Sequence, residues 1–332
     1  MRYIVIGAGA VGSSIGARLV ENGRDAVLVA RGAQLDALRA DGIRFTTPEG
    51  TRQVPVPVVD GPEAVELRTG DVLVLAVKTQ HSAAALSEWV DRPVADGNTA
   101  GESLPLVCAQ NGVESERLAL RLFRRVYGMC VVLPAAFVRP GEVTAAYGPC
   151  TGALVLGRYP SGEEETARAI AAELEKCAFH VPVVADVMRW KYGKLLGNLT
   201  QTVEALCGPV RPGGPAAELA SLSRAEGTAV LRAAGIGYAD AAELADLRSG
   251  RVELQTPTAG GALGSTWQSL ARRSGSIEAD YINGEFVLLG RTYGTPTPVN
   301  ETLLRLARDS ARTRREPGTV SPETVLGLFV RD

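Results

Sequence analysis

Lysine, histidine and paired cysteines are scarce in this 332-residue chain, and each scarcity removes a class of chemistry. The two histidines, His81 and His180, give poor support to a His-rich metal site or to most histidine-based triads. The five cysteines, Cys108, Cys130, Cys150, Cys177 and Cys207, are odd in number and widely spaced, with no Cys-x-x-Cys pair. That pattern argues against a disulfide framework and against zinc, and leaves buried structural thiols as the reading. No stretch approaches the roughly 18 uninterrupted apolar residues of a membrane span. The opening apolar run, Tyr3–Ile6, is too short for a secretory leader and runs directly into glycines, so a cytoplasmic location is expected. A formal net charge of −2, with no basic stripe or tail, speaks against a nucleic-acid partner. The short cluster Arg312, Arg314, Arg315 reads as a solvated helix face.

The lysines that remain are informative. They stand only at Lys78, Lys176, Lys191 and Lys194, so 31 of the 35 basic residues are arginine. A lysine kept against that bias points to a position where the group must give up a proton, which arginine cannot readily do.

What is present in quantity is apolar sequence, 45% of the chain against 22% charged, enough for two packed domains. The first half alternates strands and helices: strand 2–6, helix 11–22, strand 26–30, helix 33–40, an edge strand at 53–59, and continuous apolar strands at 72–77 and 105–109. Further short strands are expected at 129–134, 142–146, 153–156 and 181–186, with an amphipathic helix at 162–178. Fully apolar runs in β-α-β order imply a doubly wound, mostly parallel sheet. From about residue 188 only helical spacing is found, at 189–207, 215–234, 239–247, 259–273, 277–293 and 300–313. The expectation is therefore an α/β Rossmann domain over 1–187 and an all-α domain over 188–332. Apolar surface on helices 215–234 or 277–293 leaves room for a homodimer.

Gly7-Ala8-Gly9-Ala10-Val11-Gly12 matches G-x-G-x-x-G between a strand and a helix, the context the motif needs. Gly7 allows the tight turn, Gly9 the approach of a pyrophosphate, and Gly12 close packing of helix on strand. Enzymes that use NAD carry an acid at the end of the second strand for the ribose 2′-hydroxyl. Here that strand ends Val29-Ala30-Arg31-Gly32, and a guanidinium suits the 2′-phosphate of NADP instead. Lys78, in Ala-Val-Lys-Thr-Gln, and Asn111, in Cys-Ala-Gln-Asn-Gly, follow the next strands, at the carboxyl edge where such sheets bind ligands.

Together with the glycine motif, these segments resemble the ketopantoate reductase family, and the second half extends the likeness. Trp190-Lys191-Tyr192-Gly193-Lys194-Leu195-Leu196-Gly197-Asn198 is similar to the family's lysine helix. Ser265-Thr266-Trp267-Gln268 and Ile277-Glu278-Ala279-Asp280 resemble its serine and acid segments, and Gly294-Thr295-Pro296-Thr297-Pro298-Val299-Asn300 its closing element. The resemblance implies NADPH-dependent reduction of a small 2-oxo acid, 2-dehydropantoate (ketopantoate), to the alcohol. It implies Lys194 as proton donor and Asn198 as a substrate hydrogen-bonder. Thr266, or Ser265 beside it, would bind the substrate's polar end. Glu278 would serve substrate or nicotinamide ribose and position Lys194. Lys78 and Asn111 would lie near the reaction centre, with the backbone of Ala136 touching the nicotinamide. Lys191 is read as peripheral. Three departures stand out: Thr202 where a second asparagine is usual, Thr266 where a serine is usual, and Ile277 where a threonine is usual. They leave open another 2-oxo acid in a specialised pathway. A non-catalytic NADPH sensor is the reading of a different class, and the joint presence of Lys194, Asn198 and Glu278 speaks against it.

Overall fold

The structure is a computed structural model that describes residues 1–137, 139–255 and 264–329. The described residues divide into two units, one of Met1–Trp190 with 241–255 and one of Lys191–Asp240 with 264–329.

In the first unit, strands β1 (Arg2–Ile6), β2 (Asp25–Val29), β3 (Ile43–Thr47), β4 (Gly50–Val54), β5 (Val58–Val59), β6 (Asp71–Leu75), β7 (Pro105–Cys108), β8 (Arg125–Val132), β9 (Ala135–Ala136), β10 (Glu142–Ala145), β11 (Tyr147–Pro149), β12 (Gly152–Arg158), β13 (Phe179–His180) and β14 (Val252–Leu254) form three sheets. The main sheet runs β13-β12-β8-β7-β6-β1-β2-β5 and is parallel except where β12 meets β8. Its strands are apolar on both faces because both are covered. Tyr3 and Val5 join one core with helix α1 (Ala10–Glu21) and helix α2 (Gly32–Asp41). Ile4 and Ile6, pointing the other way by the two-residue period, join a second core with helix α3 (Ser82–Trp89). Helices α4 (Ala100–Ser103) and α5 (Ser115–Leu120) lie between β6 and β8 in sequence, and α6 (Glu165–Glu175) closes the first core through Ala167, Ile170 and Leu174. Strands β1 and β2 step to one side and β6 to the other, so the strand order reverses at the carboxyl end of β1, where doubly wound sheets bind ligands.

Several expectations change in detail. The edge strand expected at 53–59 is two strands in two sheets, because Pro55 and Pro57 have no N–H to continue a ladder. Of the strand expected at 181–186 only one bridge from Val183 to Leu156 is found; β13 comes just before it, and Pro182 interrupts the ladder. The largest difference concerns residues 241–255, expected in an all-α second domain. Helix α9 (Ala241–Arg248) and β14 belong to the first unit. Strand β14 pairs antiparallel with β11, Arg189 makes a two-pronged ion pair with Glu243 at 2.8 and 2.7 Å, and Leu247 and Val252 pack with Cys130, Ala153 and Val155.

Helix α7 (Val187–Cys207) begins in the first unit and continues into the second. The second unit then holds α8 (Pro215–Ala233), α10 (Ser265–Ala271), a single 3₁₀ turn at Glu278–Tyr281, α11 (Asn283–Tyr293), α12 (Pro298–Arg312) and α13 (Pro322–Leu326). Its described residues contain no strand. Residues 259–263 of the helix expected at 259–273 lie outside the described residues, and the remainder forms α10. The helix expected at 277–293 breaks at Ile282, whose φ of −108° and ψ of −82° are not helical. Gly294, in the left-handed region at φ 70°, ends α11 as a helix stop should. The core gathers Val203, Leu206, Leu219, Leu270, Ile277 and Leu303. Leu222, Leu288 and Tyr293 are large apolar side chains left exposed. No helix among the described residues is long and apolar enough to cross a membrane.

Candidate active site

The glycine loop after β1 is tightly determined. Gly7 takes φ 109°, a conformation L side chains rarely adopt, and a Cβ there would meet the Val77 nitrogen at 2.7 Å. A Cβ on Gly12 would lie 1.9 Å from the Gly7 carbonyl oxygen. A Cβ on Gly9 would meet nothing within 4 Å, so the space in front of this residue is open. Gly9 is the N-cap of α1 and no side chain caps that helix, leaving its first backbone N–H groups and the positive end of its dipole for an anion. The loop is pinned from behind: the Ala8 carbonyl accepts from Ser13 Oγ at 3.0 Å and from Gln34 Nε2 at 2.9 Å, while Gln34 Oε1 accepts from the Gly141 N–H at 2.8 Å. The residues present therefore fit a dinucleotide pyrophosphate. Gln34 belongs to no recognisable motif, and its role comes from a contact across more than a hundred residues.

Around this cradle the carboxyl edge carries the other expected cofactor residues. Arg31 follows β2 in extended conformation and caps α2. Lys78 follows β6 and opens a 3₁₀ turn at Thr79–His81, and Asn111 follows β7. Both are half-buried. Ala136 lies on β9, paired with Thr144 of β10 in a small second sheet.

In the second unit α7 presents Lys194, Asn198 and Thr202 at four-residue intervals, one turn apart along one face. Burial deepens along that face: Lys194 is half-buried, Asn198 is 5% exposed and Thr202 fully buried. Asn198 Oδ1 accepts from Gln201 Nε2 at 3.1 Å, and Ser265 Oγ reaches Gln201 Oε1 at 3.4 Å. Gln201 thus ties α7 to the start of α10, where a Cβ on Gly264 would strike its side chain. Among the buried side-chain atoms with no hydrogen-bond partner in the described residues are two on these segments, Asn198 Nδ2 and Thr266 Oγ1. A buried polar atom left without a partner costs on the order of 1–3 kcal/mol, so such atoms mark where a polar ligand is received. Glu278 is 9% exposed and heads the 3₁₀ turn before α11.

Thr202 occupies a different kind of place from the one expected. Its hydroxyl donates to Asn283 Oδ1 at 2.6 Å, Asn283 Nδ2 donates to Asn300 Oδ1 at 3.0 Å, and Ser223 Oγ donates to the same oxygen at 2.8 Å. Glu226 accepts from the backbone N–H groups of Val299 and Asn300 and from Asn300 Nδ2, capping α12 with a negative charge. Burial pushes the Glu226 carboxyl above its usual range, against the opposing pull of these hydrogen bonds. Thr202 belongs to this internal network, because its one proton is already given to Asn283. Lys191, expected to be peripheral to the chemistry, is itself buried at 2% exposure. Three residues of helix separate it from Lys194, an angular step of only about 60°, so the two lysines differ in burial more than in direction. Among the described residues no cluster of histidine, cysteine or carboxylate side chains could hold a metal.

A Rossmann sheet with an anion cradle, followed by a helical unit with a lysine and buried polar donors, defines an oxidoreductase that interconverts a ketone and its alcohol with a nicotinamide dinucleotide. The comparisons with known proteins agree. The family described as Ketopantoate reductase PanE/ApbA matches residues 3–161, and its C-terminal counterpart matches residues 186–311. A 2-dehydropantoate 2-reductase of Mesorhizobium japonicum is 30% identical over 338 residues, covering 93% of this chain and 97% of its own. The crystal structure of a PanE/ApbA family ketopantoate reductase from Ralstonia eutropha superposes with a TM-score of 0.77 at 26% identity, covering 95% of this chain and all of that one. D-mandelate dehydrogenase, solved with NADH and anilino(oxo)acetate, shares the fold with a TM-score of 0.79 at 20% identity, over 95% of this chain and 99% of that one. The chain belongs to the ketopantoate reductase family.

Proposed function

We propose that this protein reduces 2-dehydropantoate to pantoate with NADPH. The observation that carries the reading is the face of α7, where Lys194 stands one turn from Asn198, whose buried Nδ2 has no partner, beside a second buried donor at Thr266 Oγ1. These donors suit the oxygens of a small 2-oxo acid. When bound, the dinucleotide supplies hydride. The Lys194 Nζ stabilises the negative charge that builds on the ketone oxygen and delivers the proton there. Gln201 Nε2 donates to Asn198 Oδ1, which leaves the Asn198 N–H₂ for a ligand oxygen. Glu278 orients Lys194. Gly7, Ala8, Gly9, Ala10, Val11 and Gly12 receive the pyrophosphate, Arg31 the 2′-phosphate, and Lys78, Asn111 and Ala136 the nicotinamide end. The name of the Mesorhizobium japonicum relative supports the substrate. Purified protein is expected to oxidise NADPH on addition of 2-dehydropantoate. No turnover with it, alongside turnover with another 2-oxo acid, would overturn the substrate assignment.

Two observations favour a second reading, a different 2-oxo acid. The Thr202 hydroxyl serves Asn283 rather than a ligand, and Thr266 adds a methyl group where the family usually has only a hydroxymethyl. The bound compound in the D-mandelate dehydrogenase structure, anilino(oxo)acetate, names an aromatic alternative for the same assay.

The cofactor assignment has its own test. NADPH is expected to bind more tightly than NADH, and Arg31→Ala to remove most of the difference. A charge-assisted hydrogen bond contributes about 1.5–3 kcal/mol, or roughly tenfold to a hundredfold in Kd. Equal affinities in the unsubstituted protein would refute it.

A further inference from the structure

We infer that Glu88 of α3 supplies the ribose-binding acid that the end of β2 lacks, and that it sets how far the protein discriminates between NADPH and NADH. The inference rests on the reading of Arg31 as the residue that marks the ribose 2′ position.

The carboxylate comes from a remote part of the chain. Leu86 and Trp89 of α3 are buried in the same core as Val29, the last residue of β2. That packing carries Glu88, between them in sequence, to the end of β2, where its Oε2 accepts from Arg31 Nη2 at 2.6 Å. Both side chains are open to solvent, at 66% exposure for Arg31 and 38% for Glu88. They are therefore reachable by a ligand, and an exposed pair of this kind is easily rearranged. The contact uses one nitrogen of the guanidinium and one oxygen of the carboxylate. Arg31 Nε and Nη1, and Glu88 Oε1, have no other partner among the described residues. The pair thus offers a donor fork and an acceptor side by side.

The two dinucleotides differ only at the ribose 2′ oxygen, and they meet this pair with opposite consequences. The hydroxyl of NADH donates a proton, which a carboxylate accepts well. The phosphate of NADPH is an acceptor carrying close to two negative charges, which Arg31 attracts and Glu88 repels. Glu88 also holds one guanidinium nitrogen that would otherwise reach the phosphate. It therefore weakens NADPH, strengthens NADH and narrows the preference that Arg31 alone would produce.

The test is direct titration of NADPH and NADH, followed by quenching of tryptophan fluorescence, with no keto acid present, so that it does not depend on the substrate. It uses the full chain with Glu88→Gln, Glu88→Ala and Arg31→Ala. Both glutamate substitutions are at an exposed site, and thermal melts verify that the fold is kept. In Glu88→Gln the NADPH Kd is expected to fall and the NADH Kd to rise, each by about 1.5-fold to fivefold, the scale of one exposed charge contact. Glu88→Ala should move both in the same directions. Unchanged ratios, or a parallel shift of both constants, would overturn the inference. If Arg31→Ala changes the ratio while Glu88→Gln does not, Glu88 is a bystander and the Arg31 assignment stands. If only the glutamate substitutions change it, Arg31 does not mark the ribose 2′ position, and the inference falls with that reading. Failure of the unsubstituted protein to bind either dinucleotide would overturn both.

Discussion

Lys194→Ala is expected to lower kcat by about 10²–10⁴-fold, the usual contribution of a positioned general acid, while the NADPH Kd stays nearly unchanged. The separation of the two effects follows from chain position: Lys194 lies on α7 in the second unit, and the anion cradle after β1 in the first. Steady-state kinetics and a cofactor titration measure the two quantities on the same sample. Lys194→Arg sharpens the experiment, because arginine keeps the positive charge but is a poor proton donor near neutral pH. It is expected to fall with the alanine variant. Near-normal kcat in Lys194→Arg would make the lysine an electrostatic anchor only, with the proton coming from water or another group. Lys191→Ala is the natural control, and its burial at 2% exposure changes what it reports. Removing a large buried side chain opens a cavity, so its effect is expected in the melting temperature before kcat.

Gly12→Ala is expected to cost on the order of 3 kcal/mol of stability or more, and to weaken NADPH binding at least tenfold, from backbone overlap alone. The added methyl would sit 1.9 Å from the Gly7 carbonyl oxygen and 3.1 Å from Val5 Cγ1. Gly7 cannot move aside easily, since its α-carbon already faces the Val77 nitrogen in a left-handed conformation. Gly9→Ala makes the opposite prediction with the same added atom. Apart from its chain neighbours, no described residue comes within 4 Å of that methyl, so the melting temperature should hold while dinucleotide affinity drops. Thermal denaturation and NADPH titration of the two variants separate a glycine needed by the fold from a glycine needed by the ligand. A wild-type melting temperature for Gly12→Ala would mean that the α1 entrance is more pliable than its geometry implies.

The parts of the protein visible in its sequence are those specified by neighbours a few residues apart. Strand β1, the glycine turn and α1 form one continuous local signal, so both the expected elements and the ligand class came from residues 2–22. The long apolar strands β6 and β7 could be recognised because a parallel sheet buries both faces and therefore shows no alternation. The four-residue spacing of Lys194 and Asn198 is a property of helix geometry, and α7 needed nothing else to display it.

Other features depend on pairings between distant segments, for which local pattern carries no information. Nothing in Val252–Leu254 says that it will pair with Tyr147–Pro149 rather than continue a helical domain; that choice follows from an unpaired strand edge and from the apolar surface of Cys130, Ala153 and Val155. Thr202 looked like a ligand contact until its hydroxyl was found to donate to Asn283 Oδ1, and the burial of Lys191 left no trace in the local pattern. Glu88 carried no signal at all, being one exposed glutamate on a short helix. The sequence by itself determined the Rossmann cradle, the lysine helix and the family. Only the tertiary structure decided which side chains share a hydrogen bond, because a folded core brings together groups whose separation along the chain leaves no periodic trace.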